Sequence, residues 1–347
     1  MQQVESIIRQ EIISCGSISF ARFMELALYC PKIGYYERDL APIGRKGDFY
    51  TSVSTGPLFG ELLAQQFAEW LRKLGPGELT VIEAGAHDGQ LANDILGSIE
   101  KWRPGLSLKF VIVEPSERRR VVQQAKLAVF AGQVSWFASL DALPDPVSGI
   151  IFSNELLDAM PVYLLQWQRG KWVELRVALR GDSFVWHPVE LSTDIGQPTV
   201  VPELAAVLPD GFKIEVSPAA RRWWQAAAAR LACGKLVTID YGFEHDEFFM
   251  PQRAAGTLRA YYRHHLTTDV LARPGERDIT AHVNFSDIKT AGESCGLRTE
   301  ALVSQAQFLT EVAAKVSDWN SERVRQFQTL THPEHLGRSF KVLIQSR

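Results

Sequence analysis

The chain has 347 residues, of which 46% are hydrophobic and 22% charged, with a formal net charge of −3. That length suits one domain with insertions, and the apolar share is enough to bury a sizeable core. The negative balance argues against a nucleic-acid partner, which needs a basic footprint.

The N-terminal residues Val4, Ile7, Ile8 and Ile12 make one helical face, interrupted by Glu5 and Glu11. This pattern is neither a secretion signal nor, with acids present, a mitochondrial transit peptide. Residues 1 to about 30 read as two short helices, with Ser19 as cap of the second and Pro31 ending it. Residues 31–57 form a long irregular segment containing Gly34-Tyr35-Tyr36 and Gly47-Asp48-Phe49-Tyr50-Thr51-Ser52, whose length and aromatic content point to a functional loop. A strong helix follows, carrying Leu58, Phe59, Leu62, Leu63, Phe67, Trp70 and Leu71, and Gly75-Pro76-Gly77 stops it.

Strands and helices then alternate: strand 79–84, helix 90–102, strand 108–114, helix 117–128, and strands 134–137 and 149–152. Such a rhythm predicts a parallel sheet with helices on its faces. Residues 162 to about 200 break it. Turn signals at Arg169-Gly170-Lys171 and Arg180-Gly181-Asp182-Ser183 predict an inserted antiparallel meander. The main sheet is expected to resume at 212–216 and 235–240, and to close with strands 297–303 and 340–344. The expected division is 1–75 for N-terminal helices and an aromatic lid loop, 76–161 for the cofactor-binding half, 162–210 for the meander, and 211–347 for the rest of the core, with a loop-rich acceptor segment at 250–290.

Cys15, Cys30, Cys233 and Cys295 are scattered and form no CxxC pair, so neither a thiolate zinc site nor a disulfide framework is expected. A reducing cytosol, hence a cytoplasmic location, is the expectation. No apolar run reaches the roughly 18 residues of a membrane span. His264, His265 and His282 raise a metal hypothesis, but adjacent histidines in a strand point apart and no acidic partner stands at ligand spacing, so no metal is expected. Arg253, Arg259 and Arg263 read as a solvated face or a partner-docking patch. Arg221-Arg222-Trp223-Trp224 reads as helix packing plus surface charge.

Glu83-Ala84-Gly85-Ala86-His87-Asp88-Gly89 ends one strand and opens a helix. Glycines at such a turn let the backbone approach a ligand closely. The pattern is neither the dinucleotide G-x-G-x-x-G nor a P-loop. The next strand ends in Glu114, a position from which a carboxylate accepts from both ribose hydroxyls. Glu83 and Asp88 are unfriendly to a pyrophosphate. S-adenosylmethionine, with a ribose, no phosphate and a cationic sulfur, suits these residues better.

A second constellation, Asn154-Glu155-Leu156-Leu157-Asp158-Ala159-Met160-Pro161, follows the apolar run Ile150-Ile151-Phe152-Ser153. The end of such a strand is where an open α/β sheet places its chemistry. If the chain turns helical here, Glu155 and Asp158 share a face. Glu155 is then the candidate to orient an acceptor and Asp158 to support it. Asn154 either caps that helix or binds the methionine moiety of the cofactor. The alternative is a helix N-terminus decorated with capping residues. Asp240, in Ile239-Asp240-Tyr241-Gly242, is a further acceptor-site candidate, with a turn role as its alternative.

Together with Phe59-Gly60-Glu61-Leu62, Gly256-Thr257-Leu258-Arg259 and Asp278-Ile279-Thr280-Ala281-His282-Val283, these segments fall in an order that resembles the MidA-type family of class I S-adenosylmethionine-dependent methyltransferases. The likeness runs from about residue 16 to the C-terminus. It implies an α/β, Rossmann-like, mostly parallel seven-stranded sheet whose last strand pair is antiparallel, with an N-terminal helical extension. It implies a protein substrate whose arginine is methylated, since the family includes the mitochondrial complex I assembly methyltransferase.

The cofactor-binding set expected on this likeness is Glu83, Gly85, Ala86, Gly89, Glu114, Pro115, Ser139, Leu140, Asn154 and Thr51, and the catalytic set is Glu155, Asp158, Asp240 and His282. Two departures stand out. His87 replaces a glycine usual in the first loop, and Asn284 stands where the family often has Asp. A small-molecule methyltransferase and a non-catalytic S-adenosylmethionine-binding assembly factor are the alternatives in function.

Overall fold

The computed structural model describes residues 2–38, 51–75, 77–102, 104–105, 108–262, 265–334 and 336–347. The loop residues Gly47, Asp48, Phe49 and Tyr50, together with Arg263 and His264, lie outside the described residues.

Helix α1 spans Gln2–Cys15 and α2 spans Phe20–Tyr29. Ser19 caps α2 as expected, its hydroxyl accepting from the amide of Arg22 at 3.1 Å. Helix α3 is Leu58–Lys73. The alternation that follows is β1 (Leu79–Ala84), α4 (Gln90–Trp102), β2 (Leu108–Val113), α5 (Glu117–Lys126), β3 (Val134–Phe137) and β4 (Val147–Asn154). The meander comprises β5 (Tyr163–Gln168), β6 (Lys171–Arg180) and β7 (Ser183–Glu190), then β8 (Lys213–Val216). β9 (Leu231–Phe243), β10 (Arg259–Tyr262), β11 (His265–Thr267), β12 (Asp278–Thr280), β13 (Val283–Asn284), β14 (Arg298–Ser304) and β15 (Phe340–Ser346) complete the strands named here.

These elements sort into two interleaved units. One comprises Met1–Pro42, Asp158–Arg222 and Phe243–Ser286, the other Ile43–Leu157, Trp223–Gly242 and Asp287–Arg347. The chain therefore leaves the second unit after Leu157 and re-enters it twice, where the sequence suggested successive segments.

The second unit carries the main sheet, in the order β14-β15-β9-β4-β1-β2-β3. The strands from β9 through β3 run parallel, while β15 is antiparallel to both β9 and β14. These seven strands, mostly parallel with an antiparallel last pair, are the arrangement that the family likeness implies. Its parallel strands are near-continuous apolar runs because both faces are covered. On one face Val81, Phe110, Ile112, Phe152, Val237 and Ile239 pack against Phe59, Leu63 and Phe67 of α3 and Ile95 of α4. The Phe67 and Phe152 rings meet edge-to-face at 5.0 Å.

Close approach of α3 and α4 depends on Gly60, where a Cβ would fall 2.4 Å from Asp94 Cβ. Gly60→Val is expected to force these helices apart and destabilise the fold by about 1–3 kcal/mol. Thermal unfolding measures it, and an unchanged midpoint would show that the pair can relax freely.

The first unit holds a four-stranded antiparallel sheet, β7-β6-β5-β8, and a three-stranded one, β11-β10-β12. The predicted turns are present. Arg169 and Gly170, at φ of 49° and 79°, link Gln168 to its partner Lys171, as a type I′ hairpin requires. One expectation is corrected: residues 212–216 do not rejoin the main sheet. β8 instead pairs with β5, Tyr163 opposite Val216. Lys213-Ile214-Glu215-Val216 alternates polar and apolar, the pattern of a half-covered antiparallel strand rather than of a doubly buried parallel one. In the same unit Phe20, Phe23 and Met24 of α2 pack with Leu164, Leu175, Val177 and Ile279.

Candidate active site

Parallel strands place their carboxyl ends on one sheet edge, so the loops after β1, β2, β3, β4 and β9 emerge together. The loop after β1 is tight. Gly85 sits at φ 75°, its amide donates to the carbonyl of Val113 at 3.2 Å, and a Cβ there would lie 2.9 Å from Leu156 Cδ1. Ala86 is buried, and its carbonyl accepts from the amide of Gly89 at 2.7 Å.

His87 adopts φ 47°, the left-handed region in which a glycine would be unstrained. Its Nδ1 is buried 3.8 Å from Asp88 Oδ1, beyond hydrogen-bond length. Burial pushes the imidazole below its usual pKa, only partly opposed by Asp88. Two effects oppose each other in His87→Gly: relief of left-handed strain and a larger loss of chain entropy on folding. The variant is expected to unfold within about 1 kcal/mol of the parent and to keep S-adenosylhomocysteine affinity by calorimetry. A large loss of affinity would make the imidazole a ligand-holding group.

Asp88 caps the start of α4, accepting from the Gln90 amide at 3.0 Å, and is paired with Lys126 Nζ at 2.6 Å. Burial works upward on this carboxyl, but His87 and Lys126 together hold it well below the usual range. Glu83, next to last in β1, is only 2% exposed. Its Oε2 is buried without a hydrogen-bond partner among the described residues. Burial, reinforced by the charges of Asp88 and Asp94, pushes its pKa up to about 8.

At the tip of β2, buried Glu114 accepts from the Ser116 amide at 3.0 Å and from Gln123 Nε2 at 3.2 Å. Gln123 also donates to the carbonyl of His87 at 2.9 Å and accepts from Trp136 Nε1 at 3.1 Å. It thus ties the β1 loop to the β2 acid. Nothing in the sequence marks this mid-helix glutamine, or Lys126, as part of the site. Pro115 is exposed. Ser139, also exposed, caps the 3-10 turn Leu140–Ala142 after β3, and Leu140 is buried. Buried Thr51 lies before α3, its hydroxyl accepting from the Ser54 amide at 3.1 Å.

The tip of β4 differs from expectation. No helix follows Asn154, and residues 155–160 form bends and turns. Helical spacing of Glu155 and Asp158, and a helix-capping role for Asn154, are therefore both corrected. The physical cause is Glu155, whose φ of 50° cannot start a right-handed helix. Its amide donates to the carbonyl of Ile239 at 3.0 Å. Its Oε1 accepts from Asn154 Nδ2 at 3.1 Å, and Asn154 Oδ1 is buried without a partner among the described residues.

Asp240, fully buried in β9, holds this turn. Its Oδ2 accepts from the amides of Leu156 and Leu157 at 3.1 and 2.8 Å, and its Oδ1 from that of Tyr241 at 2.8 Å. Its geometry is that of the turn role. Asp158 and His282 belong to the other unit. Asp158 is buried there and its carbonyl accepts from the Ala281 amide at 2.9 Å. His282 stacks on Phe243, ring centroids 4.8 Å apart, and its amide donates to Thr257 Oγ1 at 3.0 Å. Burial first, then the charge of Arg259, drops its imidazole pKa to about 3. Arg253 covers the Phe243 ring at 3.7 Å.

Register decides which of these groups meet a common ligand. Glu83 lies opposite Phe152 in β4 and opposite Ile112 in β2, so Glu83, Glu114 and Asn154 project from one face of the sheet. Two buried oxygens there, Glu83 Oε2 and Asn154 Oδ1, want donors. An ammonium-bearing nucleoside satisfies them, and a polyphosphate does not. The S-adenosylmethionine α-ammonium fits the pair of orphaned acceptors, and its ribose fits Glu114.

Such a loop and acid pair at the carboxyl edge of this sheet define a nucleoside-dependent methyltransferase of class I. The family described as S-adenosyl-L-methionine-dependent methyltransferase matches residues 62–303, and the chain belongs to it. A Drosophila melanogaster relative, named protein arginine methyltransferase NDUFAF7 homolog, mitochondrial, is 27% identical over 373 residues, covering 97% of this chain and 83% of its own. The Rattus norvegicus protein arginine methyltransferase NDUFAF7 is 28% identical, covering 95% and 81%. A Burkholderia thailandensis protein solved with S-adenosyl-homocysteine bound superimposes with a TM-score of 0.86 at 34% identity, covering 100% of this chain and 92% of that one. The chain is thus an S-adenosylmethionine-dependent methyltransferase. The expected cytoplasmic location is corrected: these curated relatives carry mitochondrial names, and scattered free cysteines do not distinguish one reducing compartment from another.

Proposed function

We propose that this methyltransferase acts on an arginine side chain of a protein partner. The observation that carries the reading is Glu155. Its carboxylate is presented on left-handed backbone, oriented by Asn154, at the strand tip beside that of Glu83. The names of the curated relatives support the same acceptor.

When bound, S-adenosylmethionine supplies a methyl group already activated by its positive sulfur. Glu83 and Asn154 hold the ammonium end, Glu114 the ribose, and the Gly85 turn, closed over by Leu156, sets their spacing. An arginine acceptor arrives protonated at any physiological pH. Glu155 takes hydrogen bonds from it, which localises electron density on the nitrogen that forms the new N–C bond. The C–S electron pair stays on sulfur, and the displaced proton passes through Glu155 to solvent. The product guanidinium keeps its single positive charge.

Asp240 acts through the Leu156 and Leu157 amides and is a positioning residue. His282, so reluctant to protonate, is a poor proton acceptor for this step, and it serves instead to hold the Thr257 and Phe243 region.

The test is incubation of the purified protein with methyl-labelled donor and a cell extract. Label in a protein band, released on hydrolysis as methylarginine, is the expected result. Label confined to extractable small molecules would overturn the arginine reading.

A further inference from the structure

Helix α5 hides a polar residue where a helix on a sheet face ordinarily hides an apolar one. Among the described residues of α5, Gln123 alone is buried, at 0% exposure. An amide in such a place is costly unless its polar groups are met. Three neighbouring strands meet them. Its Nε2 donates to the carbonyl of His87 in the loop after β1 at 2.9 Å and to Glu114 Oε2 at the tip of β2 at 3.2 Å. Its Oε1 accepts from Trp136 Nε1 in β3 at 3.1 Å. All four residues belong to the unit that carries the main sheet.

These partners leave the amide one orientation. An indole N–H can only donate, and a carbonyl or an ionised carboxylate can only accept. Trp136 therefore claims the carbonyl end of Gln123, and both N–H groups turn toward His87 and Glu114. With its two donors engaged inside the protein, Gln123 acts on the groups that a ligand meets rather than on the ligand. The loop after β1 has further ties. Lys126 Nζ holds Asp88 Oδ2 at 2.6 Å and Gln90 Oε1 at 2.9 Å, and the Gly85 amide holds the carbonyl of Val113 at 3.2 Å. Losing one bond to His87 leaves that loop anchored. Glu114 is held differently. The Ser116 amide reaches its Oε1 at 3.0 Å from the strand tip, and Gln123 reaches its Oε2 from the helix. One fixed donor on each oxygen sets the plane of the carboxylate, and a grip on two adjacent hydroxyls depends on that plane.

We infer that Gln123, pinned by Trp136, is the positioning residue that orients Glu114 toward the ribose and so sets the preference of this site for a nucleoside bearing both ribose hydroxyls. The inference rests on the assignment of Glu114 to the ribose of S-adenosylmethionine and is independent of the methyl acceptor. It explains why a buried position of α5 carries an amide in place of a leucine or methionine, which would be buried at less cost.

The experiment measures, by calorimetry on the full chain, the affinities of S-adenosylhomocysteine and of its 2′,3′-dideoxy counterpart. The parent is compared with Gln123→Met, which keeps the length of the side chain and removes its amide. The parent is expected to prefer the hydroxylated ligand by about tenfold or more. In Gln123→Met the affinity for S-adenosylhomocysteine should fall about tenfold and that for the dideoxy compound by less than about threefold, so that most of the preference disappears. A merely structural role weakens both ligands alike and keeps the preference, and that result overturns the inference, as does undiminished affinity for both. The two ways of failing are distinct. A parent that binds both ligands equally removes Glu114 from the ribose, and the role of Gln123 falls with it. A parental preference that the variant retains fails Gln123 alone. Should the variant not fold, the parent carrying isotope-labelled glutamine decides. The side-chain amide signals of Gln123 are expected to move with S-adenosylhomocysteine and to stay in place with the dideoxy compound, and an equal response to both overturns the positioning role.

Discussion

Glu83→Gln is expected to weaken S-adenosylmethionine binding by about 10–1000-fold at pH 8.5 while making the ligand-free protein more stable at that pH. Both effects have one origin. The Glu83 carboxyl is buried beside Asp88 and Asp94 with an unpartnered oxygen, and its folded pKa of about 8 stands above the ordinary 4.5. A carboxyl raised in this way binds a proton in the folded state at pH values where the unfolded chain has already lost it. Its contribution to stability is therefore fully present below about pH 4.5 and is lost as pH rises through about 8. The amount at stake is on the order of a few kcal/mol. Glutamine, neutral throughout, removes that slope. The ligand-free variant should melt above the parent at pH 8.5, with the gap closing toward pH 5.

Cofactor binding reverses the balance, because an ammonium against Glu83 favours the carboxylate. The parent's affinity should rise with pH and level off above about 8, releasing a proton on binding below that point. The variant should lack both the rise and the proton release. Removing one charge of a buried hydrogen-bonded pair costs about 2–5 kcal/mol, lessened here because the amide oxygen still accepts. Calorimetry in buffers of different ionisation enthalpy reads affinity and proton release together. Equal affinity of parent and variant at pH 8.5 would place the ammonium elsewhere.

What the sequence revealed and what it hid follow from the range of the forces involved. The β1 turn was legible because Gly85 and Gly89 are demanded by local backbone geometry, at φ of 75° and 84°. The alternation of strands and helices followed from apolar runs between amphipathic segments, a pattern readable over a dozen residues, whereas the order of the strands in the sheet did not. Helix α4 begins and ends where the sequence placed it. The hairpins of the meander were announced by their own Arg-Gly and Gly-Asp turns.

Long-range pairing was not legible. β8 is a four-residue strand whose partner lies about fifty residues back, and only its alternation hinted at the smaller sheet. The Asn154 segment was read as a helix start because Asn, Glu and Asp are good capping residues. Two amide hydrogen bonds to Asp240, some 80 residues away, and a left-handed Glu155 override that local preference. Gln123 was invisible for the same reason, since a glutamine in mid-helix becomes part of the site only once β1, β2 and β3 stand side by side. The interleaved units escaped a linear reading because contacts, not sequence order, define them.

Glu155 allows a variant that separates fold from function more sharply than any other position. A non-glycine residue held at φ 50° carries about 1–2 kcal/mol of local strain. Glycine would relieve it, at the expense of about 0.4–1 kcal/mol of extra chain entropy lost on folding. Glu155→Gly is therefore expected to unfold within about 1 kcal/mol of the parent and to bind S-adenosylhomocysteine as tightly. Its methyl transfer should fall by about a hundredfold or more, because the group that receives the acceptor proton is gone. Glu155→Gln, which keeps the side-chain length and a bond to Asn154, should be nearly as inactive. Single-turnover transfer to the acceptor protein and denaturant unfolding give the two readouts. A Gly variant that loses several kcal/mol, or that no longer binds cofactor, would make this a residue of the scaffold. A Gln variant with an undiminished rate would show that the charge is not needed for chemistry. A stable, cofactor-binding, inactive pair of variants is the outcome that the geometry demands, because no folding advantage accounts for a carboxylate on a backbone that suits glycine better.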